Sequence, residues 1–159
     1  MFRRRRFERT FDGAIRVRLS DDDRRVMEWL LPQLRSSLVD VTAEGEVAEP
    51  LRRLFPTAHP DDPEAESDYQ RLMRDQLLAR RLDALDAVEA TLSAERLDDE
   101  SVDLWMGVVN DLRLTIGTVL DVSEDDDVEL DPDDPDAAAW FAYDYLTGLL
   151  AELVDARMG

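Results

Sequence analysis

Apolar residues alternate along the first stretch of this chain and recur at helical spacing through most of the rest. The most regular stripe is Val102, Trp105, Val109, Leu112, Ile116 and Val119, whose steps of three and four predict a helix over residues 99–121 with Asp98 as its N-cap. A second stripe, Val26, Leu30, Leu34, Leu38 and Val41, joined by Met27, Trp29 and Leu31, predicts a helix over 20–42. Ser20 and Asp23 have the spacing of a capping box at its start, and Pro32 inside it predicts a kink or break. Tyr69, Met73, Leu77, Leu78, Leu82, Leu85, Val88 and Leu92 predict a long helix over 67–94, opened by a capping box from Ser67 and Gln70. The last predicted helix, 135–157, is apolar nearly all round, with Trp140, Phe141, Tyr143, Tyr145, Leu146, Leu149, Leu150, Leu153 and Val154.

Residues 6–19 read as a β-hairpin around Asp12-Gly13. A two-residue loop would put Phe7 on the face opposite Ile15, Val17 and Leu19. A three-residue loop of Phe11, Asp12 and Gly13 puts all four on one face, sets Glu8 opposite Arg16, and leaves Gly13 where positive φ is wanted. The three-residue loop is therefore expected, with its apolar face on the helices, because a lone hairpin is marginal in water. Residues 43–66 hold Pro50, Pro56, Pro60 and Pro63 and read as a connector, with a short helix from Pro50 through Phe55 and loop over 56–66. The expected architecture is mainly α: a single domain over 1–159, a four-helix-type bundle with an N-terminal β-hairpin packed on it.

Charge changes this picture. The formal net charge is −19, yet residues 1–18 carry seven arginines against Glu8 and Asp12, a net +5 that leaves −24 on the remainder. Such a body repels nucleic acid and steers toward cationic partners. Residues 121–136 contain ten carboxylates and no base, broken by Pro132 and Pro135, and read as a solvated acidic loop. There is no cysteine, which excludes disulfides, thiolate metal sites and thiol redox switching. No apolar run is long enough to cross a membrane, and the basic N-terminus has no apolar segment behind it, so a cytoplasmic protein without a secretory signal is expected.

Candidate chemistry is sparse. Asp125, Asp127 and Glu129 imitate the start of a calcium loop, but Leu130 stands where glycine is needed and Asp136 where a bidentate glutamate is needed. His59, the single histidine, sits between Ala58 and Pro60 and reads as an exposed turn residue. No nucleotide fingerprint is present, and no catalytic, cofactor or metal site is expected. The polar residues inside the central helix are more informative. Gly107, Asn110 and Arg113 share one flank, while Asp111, Thr115 and Thr118 share another. The cluster Asn110, Asp111, Arg113 and Asp144 reads either as structural, with Arg113 paired to a carboxylate such as Asp144, or as a polar recognition patch. Gly107 and Gly117 read as places where another helix approaches. Arg3, Arg4, Arg5 and Arg6, with Phe2 and Phe7, form the one basic patch with aromatic neighbours.

Trp105, the block Val108-Val109-Asn110-Asp111-Leu112-Arg113-Leu114 and Ile116-Gly117-Thr118 resemble the central motif of an actinobacterial family of unknown function. Leu51-Arg52-Arg53-Leu54-Phe55-Pro56, Asp61-Asp62-Pro63 and Tyr143-Asp144-Tyr145-Leu146 match as well, so the resemblance spans nearly the whole chain. Members of that family are often described as transcriptional regulators of oxidative stress, encoded beside a Clp-protease adaptor and sulfur-assimilation genes. In some, a cysteine pair responds to oxidants; this chain has no cysteine and cannot use that chemistry. The resemblance implies a non-enzymatic regulatory protein acting through protein–protein contacts, on transcription or the stress response, with a sigma factor or polymerase as partner. The flank of Asn110 and Arg113 is the expected contact surface, and the last helix is a candidate homodimer face. The alternative is DNA binding through the arginine-rich hairpin.

Overall fold

The computed structural model describes residues 4–41, 47–121 and 133–159. Four helices carry the core, and a small antiparallel sheet is clamped against one end of it.

Strands β1 (Phe7–Arg9) and β2 (Ile15–Val17) pair Phe7 with Val17, Glu8 with Arg16 and Arg9 with Ile15. The Thr10 amide donates to the Ala14 carbonyl at 2.8 Å, which leaves Phe11, Asp12 and Gly13 as the loop. Gly13 sits at φ +87°, the left-handed region that a side chain resists. The loop length argued from the faces is the observed one, and Phe7, Ile15, Val17 and Leu19 are all buried. The hairpin is not alone, however. A third strand, β3 (Arg96–Leu97), pairs with β2 in the order β1-β2-β3. A strand of two residues has no period to read, so the pattern could not announce it.

Helix α1 (Asp21–Val39) opens with the capping box expected from Ser20 and Asp23. It then runs through Pro32 without a break. Pro32 is on the exposed face, where water can satisfy the Glu28 carbonyl that loses its donor. Trp29, assigned to the apolar stripe, is instead 60% exposed. A 3-10 turn, Glu49–Leu51, starts one residue before the expected Pro50, ends short of the expected Phe55, and buries Leu51.

Helix α2 (Pro63–Thr91) starts four residues before the expected Ser67. The Asp62 side chain accepts from the Ala65 amide at 3.1 Å, with Pro63 at the first helical position. Proline there gives up an amide that would have been unpaired anyway, so Asp62-Pro63 wins over the Ser67 box. Glu66 and Gln70 hydrogen-bond each other on the helix surface. Helix α3 (Asp99–Val119) starts at Asp98, which accepts from the Ser101 amide at 2.8 Å. Helix α4 (Ala137–Met158) begins two residues later than expected.

The centre of the molecule is α3, which packs chiefly on α4 and α2. Trp105 is 1% exposed. Its ring meets Phe7 edge-on at 5.6 Å, and its indole N–H donates to Thr91 Oγ1 at 2.8 Å. An apolar ring with its one donor satisfied is what a buried tryptophan requires. Leu146, Leu149 and Leu153 of α4 complete the core. The sheet is tied to the same helix by Arg9. Its guanidinium donates to the Ala156 and Arg157 carbonyls at 3.1 and 2.9 Å and to Asp99 at 2.8 Å, placing a cation on the negative end of α4. Among the described residues, no helix is long and apolar enough to cross a membrane.

Candidate interaction surface

The polar residues of α3 separate in three dimensions. Asp111 turns inward and receives a hydrogen bond from Arg81 of α2. Burial raises the Asp111 carboxyl above its ordinary range, outweighing the charge and hydrogen bond of Arg81 that oppose it. Arg81 also donates to the Leu54 carbonyl at 2.9 Å and lies over the Phe55 ring at 5.8 Å. One residue thus joins α2, α3 and the turn after Leu51. Arg81 Nε is buried without a hydrogen-bond partner in the described structure, a modest cost of this junction.

The expected pairing of Arg113 with Asp144 does not form. Arg113 Nε donates to Thr147 Oγ1 at 3.0 Å, and its guanidinium lies over the Tyr143 ring at 5.2 Å. Tyr143 and Thr147 are one turn apart and face α3 together, whereas Asp144 is rotated about 100° onto an exposed face. Gly117 explains why α3 and α4 meet closely here. A Cβ on it would stand 3.0 Å from Tyr143 Cε2. Gly107, by contrast, is exposed with open space around it, so it is not a helix-approach site. Asn110 is half-buried.

The basic patch is divided as well. Arg3 lies outside the described residues, and Arg4 and Arg5 are exposed. Arg6 is buried. It donates to Glu152 at 2.5 Å and to Asp23 at 3.2 Å, and its guanidinium lies 5.2 Å from the Tyr145 ring centre. The Tyr145 hydroxyl donates to the same Asp23 oxygen at 2.8 Å. Burial pushes the Asp23 carboxyl up, but hydrogen bonds from Ser20 and Tyr145 and the charge of Arg6 outweigh it and hold the group low. Burial, with the hydrogen bond to Asp23, raises the Tyr145 phenol. This network staples β1 to α1 and α4, and the charge of Arg6 is taken up by Asp23 and Glu152.

Above that network the surface is concave. α1 packs mainly on α2, and α4 mainly on α3 and β1, so α1 and α4 pack little against each other. The first three residues of α4 are alanine and Ala142 follows a turn later, and Ala138, Ala139 and Ala142 line the space between the two helices. Two adjoining cavities of about 600 and 450 Å³ result, both lined by Trp29, Ala138 and Ala142. They form one trough. Its upper part is lined by Val26, Phe141 and Tyr145, with Arg6 beneath and Asp144 at the side. Its lower part is lined by Leu30, Leu34, Leu112, Ile116 and Val119, with Asp136 at the end. Trp29, Phe141 and Val119 are large apolar residues left 60%, 49% and 61% exposed. No single stripe signals this trough, because it depends on how far apart two helices stand.

The remaining sequence candidates are local. His59 is exposed in a turn, where the Ala58 and His59 amides both donate to Glu66. That carboxyl is lowered, first by Gln70 and then by the His59 amide. Asp125, Asp127 and Glu129 lie outside the described residues, as does most of the acidic stretch. Among the described residues, no three histidine, aspartate or glutamate side chains are grouped so as to hold a metal ion.

Fold and surface together define a helical-bundle domain with a small sheet stapled to it by buried arginine and an open apolar trough between its first and last helices. The chain belongs to a family described as Domain of unknown function (DUF2017), whose model matches residues 4–157. No curated protein and no solved structure matches the chain.

Proposed function

We propose that this chain is a non-enzymatic regulatory protein that acts by contact with another protein, and that the trough between α1 and α4 is where contact is made. The observation that carries this reading is the exposure of Trp29 and Phe141 over a trough of such size. Apolar hollows with exposed aromatic rims are favoured contact sites, because aromatics and their pockets supply most of the binding energy of an interface. Arg113 is engaged by Tyr143 and Thr147, which favours the trough over the Asn110 flank as the contact surface. The resemblance to actinobacterial stress regulators supports an effect on transcription, in the cytoplasm, with a sigma factor or polymerase as partner. Without cysteine, the signal is carried by the partner or by abundance rather than by thiol oxidation in this chain.

A photo-crosslinking amino acid at position 29, with the same group at exposed Leu72 as control, tests the reading in cells. A discrete adduct from position 29 and none from position 72 is expected. Identical adduct patterns at the two positions would overturn it. The DNA-binding alternative rests on Arg4 and Arg5, which remain exposed. It requires a gel shift that weakens steeply with salt and disappears in the Arg4→Ala/Arg5→Ala variant.

A further inference from the structure

The trough has an electrostatic character as well as a shape, and the two together specify what fits it. Its lining includes one base, Arg6, whose charge is taken up by Asp23 and Glu152. Asp136 and Asp144 stand at its edge, and exposed Asp133 and Asp134 lie just beyond the start of α4. The chain beyond residue 18 carries −24 against +5 before it, so the net field of the molecule favours a cationic partner. The two apolar sections meet at Trp29, Ala138 and Ala142, which suits a ligand that presents two clusters of apolar anchors along one line.

We propose that the trough binds a cationic amphipathic helix of a partner protein, with an apolar row at i, i+3, i+4 and i+7 inserted between α1 and α4 and arginine or lysine flanking it against the acidic rim. Helix-in-groove recognition uses this row of anchors, and charge of the opposite sign speeds encounter and sets register. A second copy of this chain is the poorer occupant, since it would bring a further −19 against the same surface. The inference rests on the reading of the trough as a contact surface and adds the chemistry of what it contacts.

The probe is a fluorescent peptide roughly eighteen residues long, enough to form a helix, with leucine at the anchor positions and lysine or arginine elsewhere. A second peptide keeps the leucines and replaces the bases with glutamate. Both are titrated with the full chain at low and at physiological salt, and with Trp29→Ala and Ala138→Arg, whose positions are exposed. The expected result is saturable binding of the basic peptide alone, weakened by salt and by about tenfold or more in each variant. Equal binding to the wild type and both variants would mean adsorption to acidic surface and would overturn the proposal. So would the absence of binding by the basic peptide. Concentration-dependent dimerisation of the wild type, abolished by Ala138→Arg, would give the trough to a second copy and overturn it as well. If position 29 still crosslinks a partner in cells while the basic peptide fails, the contact surface stands and the cationic helix falls.

Discussion

At the scale of single residues, two carboxylates of this chain are buried against arginine and respond to burial in opposite directions. Asp23 has more hydrogen bonds to its charged form than burial takes away, so it is held low. It therefore stabilises the fold above the pKa of an unfolded aspartate, about 4, and that contribution is lost as pH falls through its lower folded value. Asp111 has Arg81 alone to offset its burial and is raised. Its ionisation costs stability above its folded pKa, and the cost is relieved as pH falls toward that of an unfolded aspartate. Arg81→Met should lower stability at pH 7 by roughly 3 kcal/mol, because a buried charge is left unpaired. The loss should shrink as acidification protonates Asp111, whereas the deficit of Asp23→Asn should persist in full down to about pH 4, the range of an unfolded aspartate, before it fades. Urea midpoints across this range measure both. The Arg81–Asp111 junction left one trace in the sequence. Arg81 stands on the same face as Leu77, Leu85 and Val88, a charge inside an apolar stripe. Its partner was not legible, because the rotation of α2 against α3 is set by tertiary packing.

At the scale of elements, local chemistry was legible wherever a side chain acts on its own backbone. The hairpin loop, the Ser20 box and the Asp98 cap all follow from residues within a few positions of the feature they fix. The start of α2 shows the limit, since Ser67 and Gln70 have the right spacing for a cap but lie inside a helix already begun at Asp62-Pro63. The two glycines of α3 look equivalent in sequence and are not. Gly107→Ala meets no atom and removes the backbone freedom of a helical glycine, so it should stabilise by about 0.5–1 kcal/mol. Gly117→Leu drives a side chain into Tyr143 and should destabilise by about 1–3 kcal/mol, loosening Arg113 from the same ring. Thermal or denaturant midpoints of the two variants test the sign of each. α4 was read as apolar all round, yet it buries Leu146, Leu149, Leu153 and Ala156 on one face. Alanine, glycine and Phe141 are part of what it leaves outside.

At the scale of the whole molecule, negative charge and an apolar trough coexist on a bundle whose interior is ordinary. Self-repulsion of a net −19 weakens the compact state, so the melting temperature should rise between about 10 mM and 300 mM salt as the Debye length contracts. A fall over that range would show that the internal arginine pairs matter more than the surplus of acid. The bundle and its hairpin were legible from periodicity, but the trough was not. It arises because α1 and α4 lean on different neighbours and because small residues open α4, facts that join distant parts of the chain. On the surface suggested by sequence, Arg113 reaches across the seam between α3 and α4 to Thr147 and Tyr143.

Because the chain has no cysteine, single cysteines report on its surface directly. Ala138→Cys lies in the trough and Leu72→Cys lies away from it, both exposed. In purified protein the two should react with a maleimide at similar rates, and in native lysate the reaction at position 138 should slow severalfold while that at position 72 is unchanged. Equal rates at position 138 in both settings would contradict a trough that is occupied when the protein is at work.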